Sequence, residues 1–268
     1  MRSGVVGIFA CSVVAHLMIA QRAGAQLVLT SDLRALVVEA AGSIQTAFPA
    51  PAYAAFDRDI SRDVDSGGGN GKARATQTST VSASAMSAMG KASAASQAGP
   101  ANCILSQSTS DFRITFTVST PVQYALDGAV DGAEFRLAEP IGGAIHLVQA
   151  APGTPTPYSF SGILKPGRNY TVLTQSSQLA NACSGDLFAL AGEYSLNGSF
   201  LSLAPCPGDL NFDRVVDDSD FVLFVAAYNE LLCPAAPLPC DADLNFDGFV
   251  DDADFVIFVA AYNVLLCP

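Results

Sequence analysis

From residue 103 to about 203, apolar and polar side chains alternate in short runs. Phe112, Ile114, Phe116 and Val118 are interleaved with Arg113, Thr115 and Thr117, so one side of a strand is apolar and the other polar. Val122, Tyr124 and Leu126 repeat the pattern before Asp127-Gly128. Phe135 with Leu137, then Ile145 with Leu147, give two more runs, separated by Pro140 and Gly142-Gly143. Tyr158 and Phe160 precede Lys165-Pro166-Gly167, whose Pro-Gly suits a type II turn, and Tyr170, Val172 and Thr174 follow it. Phe188, Leu190, Tyr194, Leu196 and Phe200 close the series. Short strands with turn signals at this spacing predict an antiparallel β-sandwich or jelly roll over 101–204.

The period changes after residue 205. Phe221, Phe224, Val225, Tyr228 and Leu232 fall at i, i+3, i+4, i+7 and i+11, one face of a helix, and Phe255, Phe258, Val259, Tyr262 and Leu266 do the same. The fold class expected is mainly β, followed by a small all-α unit over 205–268. Upstream, residues 26–65 alternate weakly and read as a β-rich segment. The Gly, Ser and Ala content of 66–100 reads as a linker, although the tract Val81–Ala85 fits an exposed linker or a small-residue strand equally well. Ser66-Gly67-Gly68-Gly69-Asn70-Gly71 lacks the Gly-Lys-Ser/Thr ending of a phosphate cradle and reads as a loop.

The first 25 residues carry an uncharged apolar run, Gly4 to Ala20, then Arg22 and Ala23-Gly24-Ala25. This is the layout of a secretory signal cleaved before Gln26; the run is short for a membrane anchor, which needs about 20 apolar residues. Export leaves Cys103, Cys183, Cys206, Cys233, Cys240 and Cys267, an even set that reads as disulfides, with Cys103 paired to Cys183. The last four lack the Cys-x-x-Cys spacing and His partners of a zinc site.

Composition narrows the chemistry. The 268 residues hold 25 acids against 13 Lys and Arg, a net charge of −12 that disfavours a nucleic-acid partner. Tryptophan is absent, and the two histidines are His16, inside the signal, and His146. A Ser-His-Asp hydrolase would rest on His146 alone, which the alternation places on the polar face of its strand. No catalytic constellation emerges. The charge is also concentrated, for twelve of the acids lie between Cys206 and Pro268, where Arg214 is the one base. Carboxylates that crowded repel one another unless a cation neutralises them.

They lie in a tandem duplication. Residues 206–233 recur at 240–267, an offset of 34, with 21 of 28 positions identical. Each copy carries the spacing of an EF-hand calcium loop, with oxygen ligands at loop positions 1, 3, 5, 9 and 12 and a carbonyl at 7. These are Asp209, Asn211, Asp213, Asp217 and Asp220 with the Val215 carbonyl, then Asp243, Asn245, Asp247, Asp251 and Asp254 with the Phe249 carbonyl. Two calcium sites are expected. Val216 and Val250, at position 8, should pack the loops together. Position 6 calls for a left-handed turn; the second copy has Gly248 there but the first has Arg214, so the first site should be the weaker.

The motif Asp-x-Asn-x-Asp-Gly-x-Val-Asp-x-x-Asp followed by an apolar helix, duplicated over 206–268, resembles the dockerin type I repeats. The resemblance implies a calcium-folded module that plugs an exported protein into a partner, a cohesin-like or cell-surface protein, in polysaccharide-degrading assemblies. The pair commonly Ser-Thr-like at loop positions 10 and 11 is Asp218-Ser219 and Asp252-Ala253 here, and the helices lack the usual Lys and Arg. If the two units pair about a two-fold axis, Cys206–Cys267 and Cys233–Cys240 are the natural bonds. The function expected is non-catalytic: an extracellular or surface-displayed sandwich carried by a calcium-binding module. The alternative is a carbohydrate-binding or polysaccharide-degrading component, which would call for exposed Tyr residues and paired carboxylates on one face of the sandwich.

Overall fold

A computed structural model describes residues 27–49, 51–139, 143–203, 206–230, 241–245, 247–265 and 267. The expected signal segment, and Cys233 with Cys240, lie outside the described residues. The chain begins with β1 (Leu27–Asp32), β2 (Ala35–Ala40), β3 (Ser43–Ala47), β4 (Phe56–Ser66), β5 (Gly69–Val81), β6 (Ala85–Ala98) and β7 (Cys103–Val118). It continues with β8 (Val122–Asp131), β9 (Ala133–Glu139), β10 (Gly143–Ala150), β11 (Thr156–Leu164), β12 (Asn169–Cys183) and β13 (Leu187–Ser202). Two short helices follow, α1 (Asp218–Tyr228) and α2 (Asp252–Tyr262).

The strands form two antiparallel sheets. One runs β10-β9-β12-β7-β2-β3, with β1 also paired to β7; the other runs β11-β8-β13-β6-β5-β4. Inward residues of both layers meet in one apolar cluster, where Phe112, Ile114 and Phe116 of β7 and Tyr170 of β12 face Leu126 of β8 and Tyr194 and Leu196 of β13. The mainly β expectation therefore holds, but the all-α unit expected over 205–268 does not: its described residues form two 11-residue helices joined to irregular loops. Nor do the boundaries expected within the β region hold. The segment 26–65 and the region 101–204 share sheets, since β2 pairs with β7 from Ala35–Asp111 to Ala40–Ser106.

The stretch 66–100 is not a linker. It supplies β5 and β6, which pair along their whole length from Gly69–Ala98 to Val81–Met86. Composition concealed an alternation of small residues. Met86, Ala88, Ala92, Ala94 and Ser96 point inward while Met89, Lys91 and Gln97 point out. Small inward side chains let the sheets approach closely: a Cβ on Gly90 would stand 2.3 Å from Cζ of Tyr194. The two layers are also joined by hydroxyls, Ser96 Oγ donating to Ala180 O at 2.9 Å and Ser110 Oγ to Thr76 O at 3.0 Å.

His146 is likewise displaced from its expected face. A register shift between Ala144 and His146 turns the imidazole inward and leaves Ile145 and Leu147 exposed. Its ring stacks on Phe160 at 4.0 Å, and Nε2 lies 2.8 Å from the Tyr124 hydroxyl. Burial pushes its pKa down.

Both described disulfides match the expected pairs. Cys103 joins Cys183 across the β7–β12 register, and Cys206 joins Cys267. They are compatible with an extracellular protein. Among the described residues no helix is long and apolar enough to cross a membrane, a statement that leaves strand-built membrane proteins aside.

Between β1 and β2 the chain turns over a buried ion pair. Arg34 Nη2 meets Asp32 Oδ2 at 2.7 Å, with side-chain exposures of 0% and 1%. Arg34 also donates to Ser79 Oγ and to the Ala54 carbonyl, and Asp32 accepts the Tyr53 N–H at 2.6 Å. Burial alone would raise the Asp32 carboxyl, but these donors outweigh it and hold the pKa below its ordinary value. Its contribution to stability is therefore present above the ordinary carboxylate pKa of about 3.9 and lost as pH falls below it. Arg34→Ala strands Asp32 in the interior, and we expect a loss of about 3–5 kcal/mol in urea unfolding near neutral pH; a loss under about 1 kcal/mol would show that the pair does not clamp the turn.

Candidate metal centre

The acids expected as ligands are drawn together by the backbone of their own loops. In the first loop Asp209 Oδ1 and Asn211 Oδ1 both accept the Asp213 N–H, at 3.1 and 2.8 Å, so the side chains at positions 1 and 3 converge on one donor. Asp209 Oδ2 accepts the Arg214 N–H and Asp213 Oδ1 the Val215 N–H. Asp217 caps α1 through the Ser219 N–H. Asp220, fully buried, closes the loop: Oδ1 accepts the N–H groups of Leu210 and Asn211, and Oδ2 that of Asp217.

The second loop repeats these bonds one for one. Asp243 Oδ1 and Asn245 Oδ1 share the Asp247 N–H, and Asp243 Oδ2 accepts the Gly248 N–H. Asp247 takes the Phe249 N–H and Asp251 the Ala253 N–H. Asp254 receives those of Leu244, Asn245 and Asp251. All ten expected side-chain ligands thus belong to two equivalent loops. The Val215 and Phe249 carbonyls sit at the bridge residue before each helix.

The donor set is oxygen throughout, which suits a hard cation such as calcium and not zinc or copper. Burial pushes the Asp209 carboxyl up, with the Asp220 charge adding to it, against three backbone N–H donors. That is the crowding a divalent ion relieves. The cluster of Cys206, Asp209 and Cys267 is no alternative centre, because its sulfurs are joined to each other, although the Cys267 sulfur lies 3.4 Å from Asp209 Oδ2.

Position 6 adopts the same left-handed turn in both copies, with φ of 74° at Arg214 and 94° at Gly248. A side chain there costs roughly 1–2 kcal/mol that glycine avoids. Phe212 of the first loop is also left-handed, at φ 67°.

The loops and helices pack as a two-fold pair. Val216 and Val250 are buried with Leu210 and Ala242, and Phe224 of α1 stacks on Phe258 of α2 at 5.1 Å. Tyr228 donates to Asp252 Oδ1 at 2.6 Å, and Tyr262 reciprocates to Asp218 Oδ1 at 2.5 Å. These bonds push both hydroxyl pKa values up. They also engage loop position 10 inside the unit, a role the sequence did not disclose. Of the expected helix face, Phe224 and Phe258 are buried, whereas Phe221, Val225, Phe255 and Val259 stay exposed. Leu232 and Leu266 lie outside the described residues.

Elsewhere the acids have local tasks. Asp131 caps the Gly153 and Thr154 N–H groups, Glu139 pairs with Arg168, Glu134 accepts from Gln149, and Asp127 from Asn197. Tyr124, Tyr158, Tyr170 and Tyr194 are buried, so none offers a stacking platform for sugar. A surface groove of about 590 Å³ on the second sheet is lined by Arg74, Lys91 and Glu193. Of these, Lys91 pairs with Glu193 and Arg74 with Asp59.

No protein-family model and no curated protein sequence matches the chain. Among solved structures it is similar to a GH31 α-xylosidase from Xanthomonas citri, at 9% identity and a TM-score of 0.19, covering 79% of this chain and 39% of that one. It is also similar to a structure of infectious bursal disease virus, Gx strain, at 11% identity and a TM-score of 0.18, covering 69% of this chain and 63% of the other. The chain spans less than two thirds of either, and likenesses this slight assign neither fold nor function.

Because Phe224 and Phe258 form the shared core of both repeats, either one changed to Ala should cost about 3–5 kcal/mol, and the double variant less than the sum. Hydrogen exchange of the α1 and α2 amides reads this. Exchange unchanged in both single variants would show that the repeats do not stabilise each other.

Proposed function

We propose that the chain is an exported, non-catalytic protein whose C-terminal unit binds two calcium ions and docks the β-sandwich onto another protein, in the manner of a dockerin. The observation that carries this reading is the identity of the two loops, bond for bond, around converging oxygen donors. In this reading Asp209, Asn211, Asp213, Asp217 and Asp220, with the Val215 carbonyl, hold one ion. Asp243, Asn245, Asp247, Asp251 and Asp254, with the Phe249 carbonyl, hold the other. The ion supplies charge neutralisation and a cross-link between the start of each loop and the start of its helix. The protein supplies the turn at position 6, the cap at Asp217 or Asp251 and the apolar core beneath.

The docking half of the proposal is supported by what the helices leave uncovered. Val222 and Val256 are each 67% exposed and Leu223 44%, beside Val225 and Val259, with no basic residue in either last turn. Apolar side chains all round a short helix are costly in water and suit a protein partner. A cohesin-like or cell-surface protein fits that description. The glycan-binding alternative has less support, because four of the five tyrosines of the sandwich are buried, Tyr53 is partly buried, and its carboxylates serve turns and ion pairs. Cleavage of the expected signal before Gln26 would place the protein outside the cell, where calcium is plentiful and the disulfides persist.

A ligand that binds only the folded form stabilises it by about 2.7 kcal/mol at a hundredfold excess over its dissociation constant. Chelation of the full oxidised chain should therefore lower the unfolding temperature of 206–268 and leave the sandwich unchanged. Asp243→Ala should cost more of the calcium-dependent stability than Asp209→Ala, since Arg214 already strains the first loop. Equal losses would remove the asymmetry, and no response to chelation would remove the calcium reading. Capture from the native secretome that requires calcium and is abolished by Val222→Asp with Val256→Asp would support docking; capture unaffected by either would refute it.

A further inference from the structure

The two loops are equivalent internally but not in what they touch. Lys165, in the turn between β11 and β12, places Nζ 4.5 Å from the centroid of the Phe212 ring, inside the first loop at position 4. The backbone of that lysine is pinned on both sides. The hydroxyl of Tyr170, a residue 1% exposed, accepts the Lys165 N–H at 2.8 Å and donates to the Lys165 carbonyl at 3.1 Å. Burial pushes this hydroxyl's pKa up to about 12, so it stays protonated for the task. Gly167 N–H donates to the Val118 carbonyl, and Arg168 pairs with Glu139 at 3.1 Å, fixing the other end of the turn.

Around this contact, Pro121, Ile163 and Leu203 of the sandwich line a small hollow together with Cys206, Phe212 and Cys267. The disulfide between Cys206 and Cys267 draws the residues after α2 to the same place, where Val216 N–H donates to Leu265 O and Cys267 N–H to Arg214 O. The second repeat approaches the sandwich through Asp241, whose carboxyl burial pushes up while the nearby Lys165 and Arg168 charges pull it down; the described residues of its loop are more open. Phe249 is 51% exposed, and a Cβ on Gly248 would meet nothing within 4 Å.

We propose that the first loop is the main seat of the duplicated unit on the sandwich, and that calcium in this loop and the Lys165–Phe212 contact strengthen each other. The proposal rests on the calcium reading of the loops. Its physics is ordering. Phe212 is held at a positive φ between ligand positions 3 and 5, so an ion that fixes Asn211 and Asp213 also fixes the ring on which Lys165 rests. By linkage the lysine must favour the ion by the same factor. Charge acts the other way, because an ammonium near a cation site repels the ion. The sign of the coupling therefore decides between the two effects.

Calcium titration of the full oxidised chain by isothermal calorimetry tests it, with Asp243→Ala silencing the second loop or Asp209→Ala the first. In the Asp243→Ala chain, adding Lys165→Ala should weaken calcium binding about fivefold, at the low end of measured couplings, and Lys165→Arg should restore it to within about twofold. In the Asp209→Ala chain, Lys165→Ala should change calcium binding by less than about twofold, and an unchanged far-ultraviolet circular dichroism spectrum reports that the sandwich remains folded. Binding by the first loop that is unchanged or tighter after Lys165→Ala overturns the proposal, as does equal weakening of both loops. If neither the Asp209→Ala nor the Asp243→Ala chain binds calcium, the reading of the loops fails and the proposal fails with it.

Discussion

Each C-terminal loop brings four carboxylates and one amide oxygen into a single turn, and it does so with backbone N–H groups that point the oxygens toward one another. Two of those carboxylates, Asp220 and Asp254, have no exposure to water. Backbone donors offset part of the cost of burying them, but they carry only partial charge, and the remaining repulsion between loop positions calls for a full positive charge in the middle. Helix start, loop closure and the packing of Phe224 on Phe258 all depend on those oxygens staying where they are. If the loops hold calcium as proposed, folding of this unit and binding of the ion are one event.

The sandwich is held together by other means. It is held by its own apolar layer, by hydroxyls that cross between sheets and by the Arg34–Asp32 clamp. Lys165 reaches the loop of the first repeat, while the second repeat meets the same region through Cys267 and Asp241, so the first copy is the one anchored through its loop. Arg214 belongs to the anchored one. Its strained φ is accompanied there by the carbonyl bond to Cys267 and by the adjoining disulfide, constraints that no described residue imposes on Gly248.

Legibility followed the strength of the periodic signal. The alternation of Phe112 to Val118 and the duplicated loop were readable because large apolar residues and liganding acids recur at fixed spacing. Strands β5 and β6 were not, since Ala, Gly and Ser define no obvious inner face; the inward row Ala88, Gly90, Ala92, Ala94 reveals itself only against Tyr194 and β7. His146 was misplaced because one register shift reverses the faces of an edge strand, and nothing in Ile145-His146-Leu147 announces a shift. The reciprocal bonds from Tyr228 to Asp252 and from Tyr262 to Asp218 depend on how two repeats meet, which spacing within one repeat does not encode. The same holds for Lys165 over Phe212.

Counting ions tests the account most directly. Native mass spectrometry of the full oxidised chain, exchanged into a volatile buffer with calcium added stepwise, should give successive additions of one and then two calcium ions. A chain that keeps its compact charge-state distribution with no metal attached, in buffer stripped of divalent ions at neutral pH, would contradict it.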